Sequence, residues 1–439
     1  VSAPVDAPAR PPHHTAMKQR RRKKPQPART ADLTALSVGA RGDAVLEGPV
    51  FAPGLLPGER ARLEVRGERG RVIERLSDSV ERVEPFCPVA DRCGGCALQH
   101  WDREAYRAWK RGLVTDALKR ADVIAQVGDL VDASGQGRRR ATFHAERAGK
   151  RVEFGFIERA GERIVDIPGC PVSVPAIQAA IPALRRLAGK LAPASDRPGR
   201  GRISLAVTAS DTGLDIAVRG LPEITLDNRL DAAEFAQTEN TARISLNGEP
   251  AAELRRPEIA FGTAKVSPPA GGFLQATEEG ERVLAEHVLK AAEGATKIVD
   301  LYAGSGAFAL RLAAFAPVLA VEGEADALAA LRHAADRTPG LKPVETKHRD
   351  LAAEPLSLME MTGVDCVVID PPRNGAKTQM ERLSDSAVPV IVSVSCNPAT
   401  FARDAAILIE GGYRIGPVTP VDQFVWTAHV ETVAVFRRG

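Results

Sequence analysis

Three acids and one thiol stand where apolar runs end in the last third of the chain: Asp300, Glu322, Asp370 and Cys396. The run Asp300-Leu301-Tyr302-Ala303-Gly304-Ser305-Gly306 reads as a strand, a glycine turn and the opening of a helix. Glycines at Gly304 and Gly306 let the backbone come close to a ligand. Glu322 ends the next apolar run, 22 residues after Asp300. An acid there can accept hydrogen bonds from ribose hydroxyls. These two features fit either a dinucleotide or S-adenosylmethionine. Two later runs close on Asp370-Pro371-Pro372-Arg373 and on Ser395-Cys396-Asn397-Pro398. A strand-end cysteine beside Asn-Pro is by itself more often a turn residue than a nucleophile. Next to the other three motifs, nucleophile is the better reading.

These groups can act together only if the strands that carry them end on one side. From about residue 266 buried-type strands (297–302, 318–321, 364–369, 388–394 and 432–436) alternate with helical patterns, the signature of a doubly wound α/β sheet. In such sheets the carboxyl ends of the strands face the ligand crevice, so the four residues should converge. The apolar stretch 301–321 contains Arg311, two glycines and Pro317, and reads as strand, loop, helix and strand rather than a membrane span.

Upstream, residues 31–84 carry short strand-like runs between glycines, which suits a small OB-like β-barrel. Residues 85–265 form a central region that is cysteine-rich at its start. A helical pattern places Tyr106, Trp109, Leu113, Val114 and Leu118 on one face. Strand-like segments follow at 151–157, 203–207 and 214–218, with one helix near 175–191 and a Pro/Gly-rich loop at 192–201. Residues 266–439 are the α/β domain, and 1–30 a tail.

Taken together the motifs resemble the S-adenosylmethionine-dependent RNA uridine C5-methyltransferases, in the branch that has a TRAM barrel and an iron–sulfur cluster. The resemblance covers nearly the whole chain after the tail. It rests on Cys87, Cys93-Gly94-Gly95-Cys96, Gln99-His100, Asp300–Gly306, Asp370–Arg373, Ser395–Pro398 and His429-Val430-Glu431. It implies a C-terminal class I Rossmann-like methyltransferase domain, a TRAM/OB-like barrel and a central iron–sulfur α+β domain. It also implies that Cys396 is the nucleophile, Glu431 the general base and Asp370 a neighbour of the reacting base or the sulfonium. The S-adenosylmethionine site would comprise Gln275, Tyr302, Gly304, Glu322, Asp350 and Asp370. The chemistry suits these types: C5 of uracil is a poor nucleophile until a thiolate adds to C6. The chain departs from the family pattern at Thr277 and Ala307, where Asn is usual, and at Val425, where Pro is usual.

Cys87, Cys93 and Cys96 cluster, and Cys170-Pro171 lies downstream. Four thiolates can hold zinc or an iron–sulfur cluster. The Cys-Pro ending and the resemblance favour a 4Fe–4S cluster that braces the central region, since methyl transfer needs no electron. Cys366, inside an apolar run, is expected in the core.

The 439 residues carry a net charge of +3, unevenly placed. Residues 1–30 hold eight Lys/Arg against one Asp, and six of the seven residues 18–24 are basic. Such a run is expected to be a solvated arm that meets RNA. Arg138-Arg139-Arg140, with Arg147, Lys150 and Arg151, form a second basic cluster, expected to contact phosphates. The target uridine must be unstacked to reach Cys396. The branch resembled points to 23S rRNA, with tRNA as the alternative. No signal-peptide-like apolar segment is visible, and a cytoplasmic protein without membrane attachment is expected. The chain starts with Val, and Met17 directly precedes the basic run as a second candidate start. Oligomeric state is not legible, and a monomer is assumed. Three other functions stay open: an amino-group methyltransferase, an NAD-dependent oxidoreductase and a non-catalytic RNA-binding factor. The first two leave Cys396 without a role.

Overall fold

The protein is represented by a computed structural model that describes residues 27–439 except 150, 160, 195–198 and 200. The expected tail therefore lies outside the described residues over 1–26, and so does Lys150 of the second basic cluster. Half of the expected loop at 192–201 also lies outside them.

Five strands close a barrel in the order Arg29–Val38, Ala44–Leu46, Val50–Ala52, Arg69–Arg75 and Arg60–Arg66. The first starts two residues before the expected boundary. Period-two alternation sets the inside: Ala61, Leu63 and Val65 are buried while Arg60, Arg62, Glu64 and Arg66 face outward.

A central sheet of seven strands runs Glu249–Glu253, Arg243–Leu246, Gly213–Arg219, Ile203–Ser210, Arg140–Ala148, Arg151–Ile157 and Ile164–Asp166. Helix Pro175–Leu191 packs on it through Ile177, Ile181, Leu184 and Leu187. A second helix, Leu226–Thr238, was not expected. It buries only Ala232 and Ala236, so it lacks a strong apolar stripe, yet Thr225 and Asn228 form a reciprocal cap at its start.

The C-terminal sheet has nine strands. Five run parallel in the order Val344–His348, Val318–Glu322, Ile298–Leu301, Cys366–Ile369 and Val390–Ser395. Glu431–Arg438 and Thr419–Asp422 then add antiparallel, and Tyr413–Ile415 pairs beside Glu431–Arg438. Alternate residues of each central strand enter opposite cores. Ile298, Val368 and Val392 pack on one face, and Val299, Leu301, Val367 and Ile391 on the other. Cys366 is core, 1% exposed, as its apolar context predicts. Val344–His348 went unread because Val-Glu-Thr-Lys-His, on a sheet edge, has no apolar run.

The 85–265 span does not pack as one unit. Helix Arg103–Arg120 lays Val114, Ala117 and Leu118 against the C-terminal sheet, in one core with Leu301, Ile369 and Phe401. Val131–Asp132 adds to that sheet as an edge strand, parallel to Thr419–Asp422. A boundary at residue 266 therefore separates elements that share a core. Among the described residues no helix is long and apolar enough to cross a membrane.

Candidate active site

Register aligns the expected site residues along one rim of the C-terminal sheet. Leu301 pairs with Val321 and with Ile369, so Tyr302, Glu322 and Asp370 follow side by side. Glu322 pairs with His348, two residues before Asp350. Ser395 pairs with Thr432 across the antiparallel junction, which sets Cys396 beside Glu431.

At the glycine turn the geometry separates two jobs. Gly304 has φ +54°, and a Cβ there would meet nothing within 4 Å, so its backbone borders open space. Gly306 has φ +97°, and a Cβ would lie 2.8 Å from Leu331 Cγ, so that glycine lets the turn pack. Glu322 holds the turn: Gly304 N–H donates to its Oε2 at 2.8 Å and Glu324 N–H to its Oε1 at 2.7 Å. Its remaining lone pairs are available to hydroxyl donors. Tyr302 stands next to the turn with φ +61°. Its phenol is pushed up to about 12 by burial and by the nearby Asp350, Asp404 and Glu322 carboxylates. Asp350 accepts from Ala352 N–H at 3.0 Å.

On the other side of this rim, carboxyl groups crowd together. Burial pushes Asp370 up to about 7, against a hydrogen bond from Gln275 Nε2 to its Oδ2 at 3.2 Å. Gln423 Nε2 in turn donates to Gln275 Oε1 at 2.6 Å. Burial, and then the Asp370 charge, raises Glu431 to about 8, while Gln423, Lys110 and Arg373 draw it down. Cys396 is raised to about 11, first by burial and then by Glu431 and Asp370, with Arg373 opposing. The thiol sits directly before helix Pro398–Glu410, whose cap Asn397 accepts from Ala399 N–H at 3.1 Å and reaches Arg373 O at 3.0 Å. A helix N-terminus favours negative charge on a nearby sulfur. Asp300 lies deeper, fully buried with neither carboxyl oxygen hydrogen-bonded by a side chain, and burial beside Asp370 holds it well above the usual range.

Thr277 caps helix Glu278–Ala291, accepting from Gly280 N–H at 2.9 Å and donating to Ala133 O at 2.6 Å. That departure from the family pattern therefore has a structural use here.

Four members of the second basic cluster are not a free phosphate surface, whereas Arg151 is exposed beside Glu153 at 3.4 Å. Arg138 donates to Gly95 O at 3.3 Å and Val425 O at 3.0 Å. Arg139 is 7% exposed, pairs with Glu281 and donates to Gln275 O at 3.1 Å. Arg140 donates to Gly271 O at 2.9 Å, and Arg147 to Gly189 O at 3.2 Å. Three consecutive guanidiniums thus brace segments of the site. Strand alternation predicts an exposed edge for some of them, but tertiary carbonyls claim all three.

Sequence reading missed Lys110. It is fully buried on the inner face of helix Arg103–Arg120, 2.5 Å from Asp422 Oδ1, 2.8 Å from Tyr106 Oη and 3.0 Å from Phe424 O. Burial lowers it to about 8, against the attraction of Asp422. The only signal was a lysine one turn from Tyr106 and Val114 on an otherwise apolar face.

Cys87, Cys93, Cys96 and Cys170 line one recess together with Arg138, Phe156, Ile167 and Val172. Burial first, and then the neighbouring Cys96, Cys170 and Cys87 thiols, push Cys93 up to about 11, against a hydrogen bond from Gly95 N–H. Among the described residues no group of three or more His, Cys, Asp or Glu is arranged to hold a single metal ion.

Relatives match more than nine-tenths of this chain. An uncharacterized RNA methyltransferase of Brucella suis biovar 1 is 43% identical over 94% of this chain and 99% of that protein. The 23S rRNA (uracil(1939)-C(5))-methyltransferase RlmD of Chromohalobacter salexigens is 33% identical over 97% of this chain and 94% of that protein. The chain belongs to the RNA uracil-C5-methyltransferase family. The model of the tRNA (Uracil-5-)-methyltransferase family matches residues 346–438 of this methyltransferase, the part that carries Asp350, Asp370, Cys396 and Glu431. The Pyrococcus abyssi tRNA (uracil-54, C5)-methyltransferase, solved with S-adenosyl-L-homocysteine, shares the fold with a TM-score of 0.69 at 23% identity. The match covers 92% of this methyltransferase and all of that chain.

Proposed function

We propose that this methyltransferase transfers a methyl group from S-adenosylmethionine to C5 of a uridine in RNA, through a covalent bond between Cys396 and C6. One observation carries the reading: a thiol and two carboxyls at adjacent strand ends, all three raised by burial and Cys396 and Glu431 also by the carboxylates beside them. Such a set holds protons at neutral pH and can pass them to and from a substrate.

The Cys396 proton passes to the neighbouring Asp370 carboxylate as the sulfur bonds to C6, and the C5=C6 electron pair moves to make C5 enolate-like. C5 then bonds to the methyl carbon, the methyl–sulfur bond breaks, and S-adenosylhomocysteine is left. Glu431 takes the C5 proton. The electrons of that C–H bond restore C5=C6 while the C6–sulfur bond breaks and Cys396 leaves as thiolate. Asp370, hydrogen-bonded by Gln275 and close to the Cys396 thiol, would border the methyl donor. S-adenosylmethionine supplies the methyl group, and the residues that fit it are Gln275, Tyr302, Gly304, Glu322, Asp350 and Asp370. In support, Gly304 borders open space and Glu322 keeps free acceptor capacity.

Four cysteines around one recess are the donor set that a 4Fe–4S cluster would take, and Arg138 and Arg159 stand near enough to balance its charge. Bound there it would brace the central sheet and take no part in methyl transfer.

The name of the Chromohalobacter relative favours 23S rRNA as substrate; tRNA is the alternative. The test is tritium release from RNA labelled at uridine C5, with 23S rRNA and tRNA offered separately. Release with wild type and its loss by roughly 10⁴-fold or more in Cys396→Ala are expected. Methyl incorporation without tritium release would refute C5 as the target.

A further inference from the structure

The segment 423–430, which leads into Glu431, contains one internal turn, in which Thr427 bonds Phe424 O and His429 N–H bonds Thr427 Oγ1, and is further held from outside. Trp426 is the central point, with φ +64°, a conformation that a bulky residue keeps only when its surroundings impose it. Its carbonyl accepts from Ala97 N–H at 2.8 Å and Leu98 N–H at 3.1 Å, directly after Cys96. Its own N–H donates to Tyr106 Oη at 2.9 Å. Its ring packs on Tyr106 at 5.1 Å and on Phe86, the neighbour of Cys87, at 6.1 Å.

Arg138 makes the second tie. Its backbone N–H donates to Val172 O at 2.8 Å and its carbonyl accepts from Val174 N–H at 3.0 Å, two and four residues beyond Cys170. Its guanidinium spans from Gly95 O, between Cys93 and Cys96, to Val425 O, and lies 6.0 Å from the Phe424 ring centroid. One residue therefore connects both cysteine-bearing segments with the segment before Glu431, through its backbone to the Cys170 segment and through its guanidinium to Gly95 and Val425.

We infer that Arg138 and Trp426 are positioning residues that hold 423–430, and through it Glu431, against the cysteine-bearing segments. This rests on the reading of Glu431 as the general base. The brace acts on proton removal from C5, after the Cys396 bond and the methyl transfer. Loosening it stalls the reaction at the methylated adduct instead of abolishing the earlier steps.

The test uses the full chain with Arg138→Met, which keeps the aliphatic stem and removes both side-chain ties, and Arg138→Lys, which can keep one. Amide hydrogen exchange is read in the free protein. Arg138→Met is expected to exchange at least tenfold faster across 423–430, with residues 300–310 unchanged, and Arg138→Lys falls between it and wild type. With RNA and S-adenosylmethionine, Arg138→Met is expected to accumulate a denaturant-stable RNA–protein adduct while tritium release slows by ~10-fold or more. Unchanged exchange across 423–430 in both variants overturns the inference. So does faster exchange throughout the protein in both, or adduct and release falling together in Arg138→Lys. Wild type that releases no tritium from any RNA removes the C5 chemistry instead, and the exchange arm still decides whether the brace exists.

Discussion

Lys110 Nζ lies 2.5 Å from Asp422 Oδ1, and both side chains are withdrawn from water. The two residues are 312 apart in the chain. Tyr106 donates to the other carboxylate oxygen at 2.8 Å, so the pair is hydrogen-bonded as well as charged. Removing one partner strands a buried charge. Lys110→Met is expected to destabilise the fold by ~3–5 kcal/mol in urea denaturation. The double variant Lys110→Met/Asp422→Asn should recover much of that, because neither charge is then left alone. Equal losses in the single and the double variant would show that the pair is not the source.

Glu431 has a folded pKa raised to about 8 by burial and by Asp370. The ionised form is the one that can accept the C5 proton. Decay of the methylated Cys396 adduct in single turnover should therefore rise about tenfold per pH unit below about 8 and level off above it. A profile already flat from pH 5.5 would contradict the raised value.

The same shift links pH to stability. The folded state holds a proton on Glu431 that the unfolded chain releases near pH ~4.5. That contribution is fully present below this value and is lost as pH rises through about 8. Glu431→Gln removes the cost of the buried charge. It should raise Tm above pH 8 and change it little below pH 4.5, as read by calorimetry across the range.

Glu322 accepts two backbone N–H groups at the glycine turn. Glu322→Ala should raise the KM for S-adenosylmethionine by ~10–100-fold, the worth of one or two hydrogen bonds to a charged group. The rate at saturating donor should change less. An unaltered KM would place the ribose elsewhere.

The cysteine recess makes a separate prediction. Protein prepared and reconstituted without oxygen should carry iron and visible absorbance, and Cys93→Ser should lose both and melt at lower temperature. Zinc without iron after reconstitution would assign the four thiols to a different metal.

Local pattern alone was enough for the strand ends. Glu322, Asp370 and Cys396 end or directly follow their strands, and a parallel sheet puts such ends on one rim, whereas Asp300 lies inside Ile298–Leu301 and leaves the rim position to Tyr302. Pairing of Ser395 with Thr432 then sets Cys396 beside Glu431. The five-stranded barrel was legible in its glycine spacing, and Pro175–Leu191 in its helical period. Tertiary structure decided what local pattern cannot carry. A run of arginines reads as surface because charge is normally solvated. Arg138, Arg139 and Arg140 turn inward because carbonyls at Gly95, Val425, Gln275 and Gly271, up to 287 residues away, offer acceptors there. Lys110 reads as the polar break in an apolar helix face, and only Asp422, Tyr106 and Phe424 make its burial tolerable. Strand periods and turn residues act between near neighbours, so one sequence window contains them. The partners of a buried charge come from distant segments and exist only once those segments have packed.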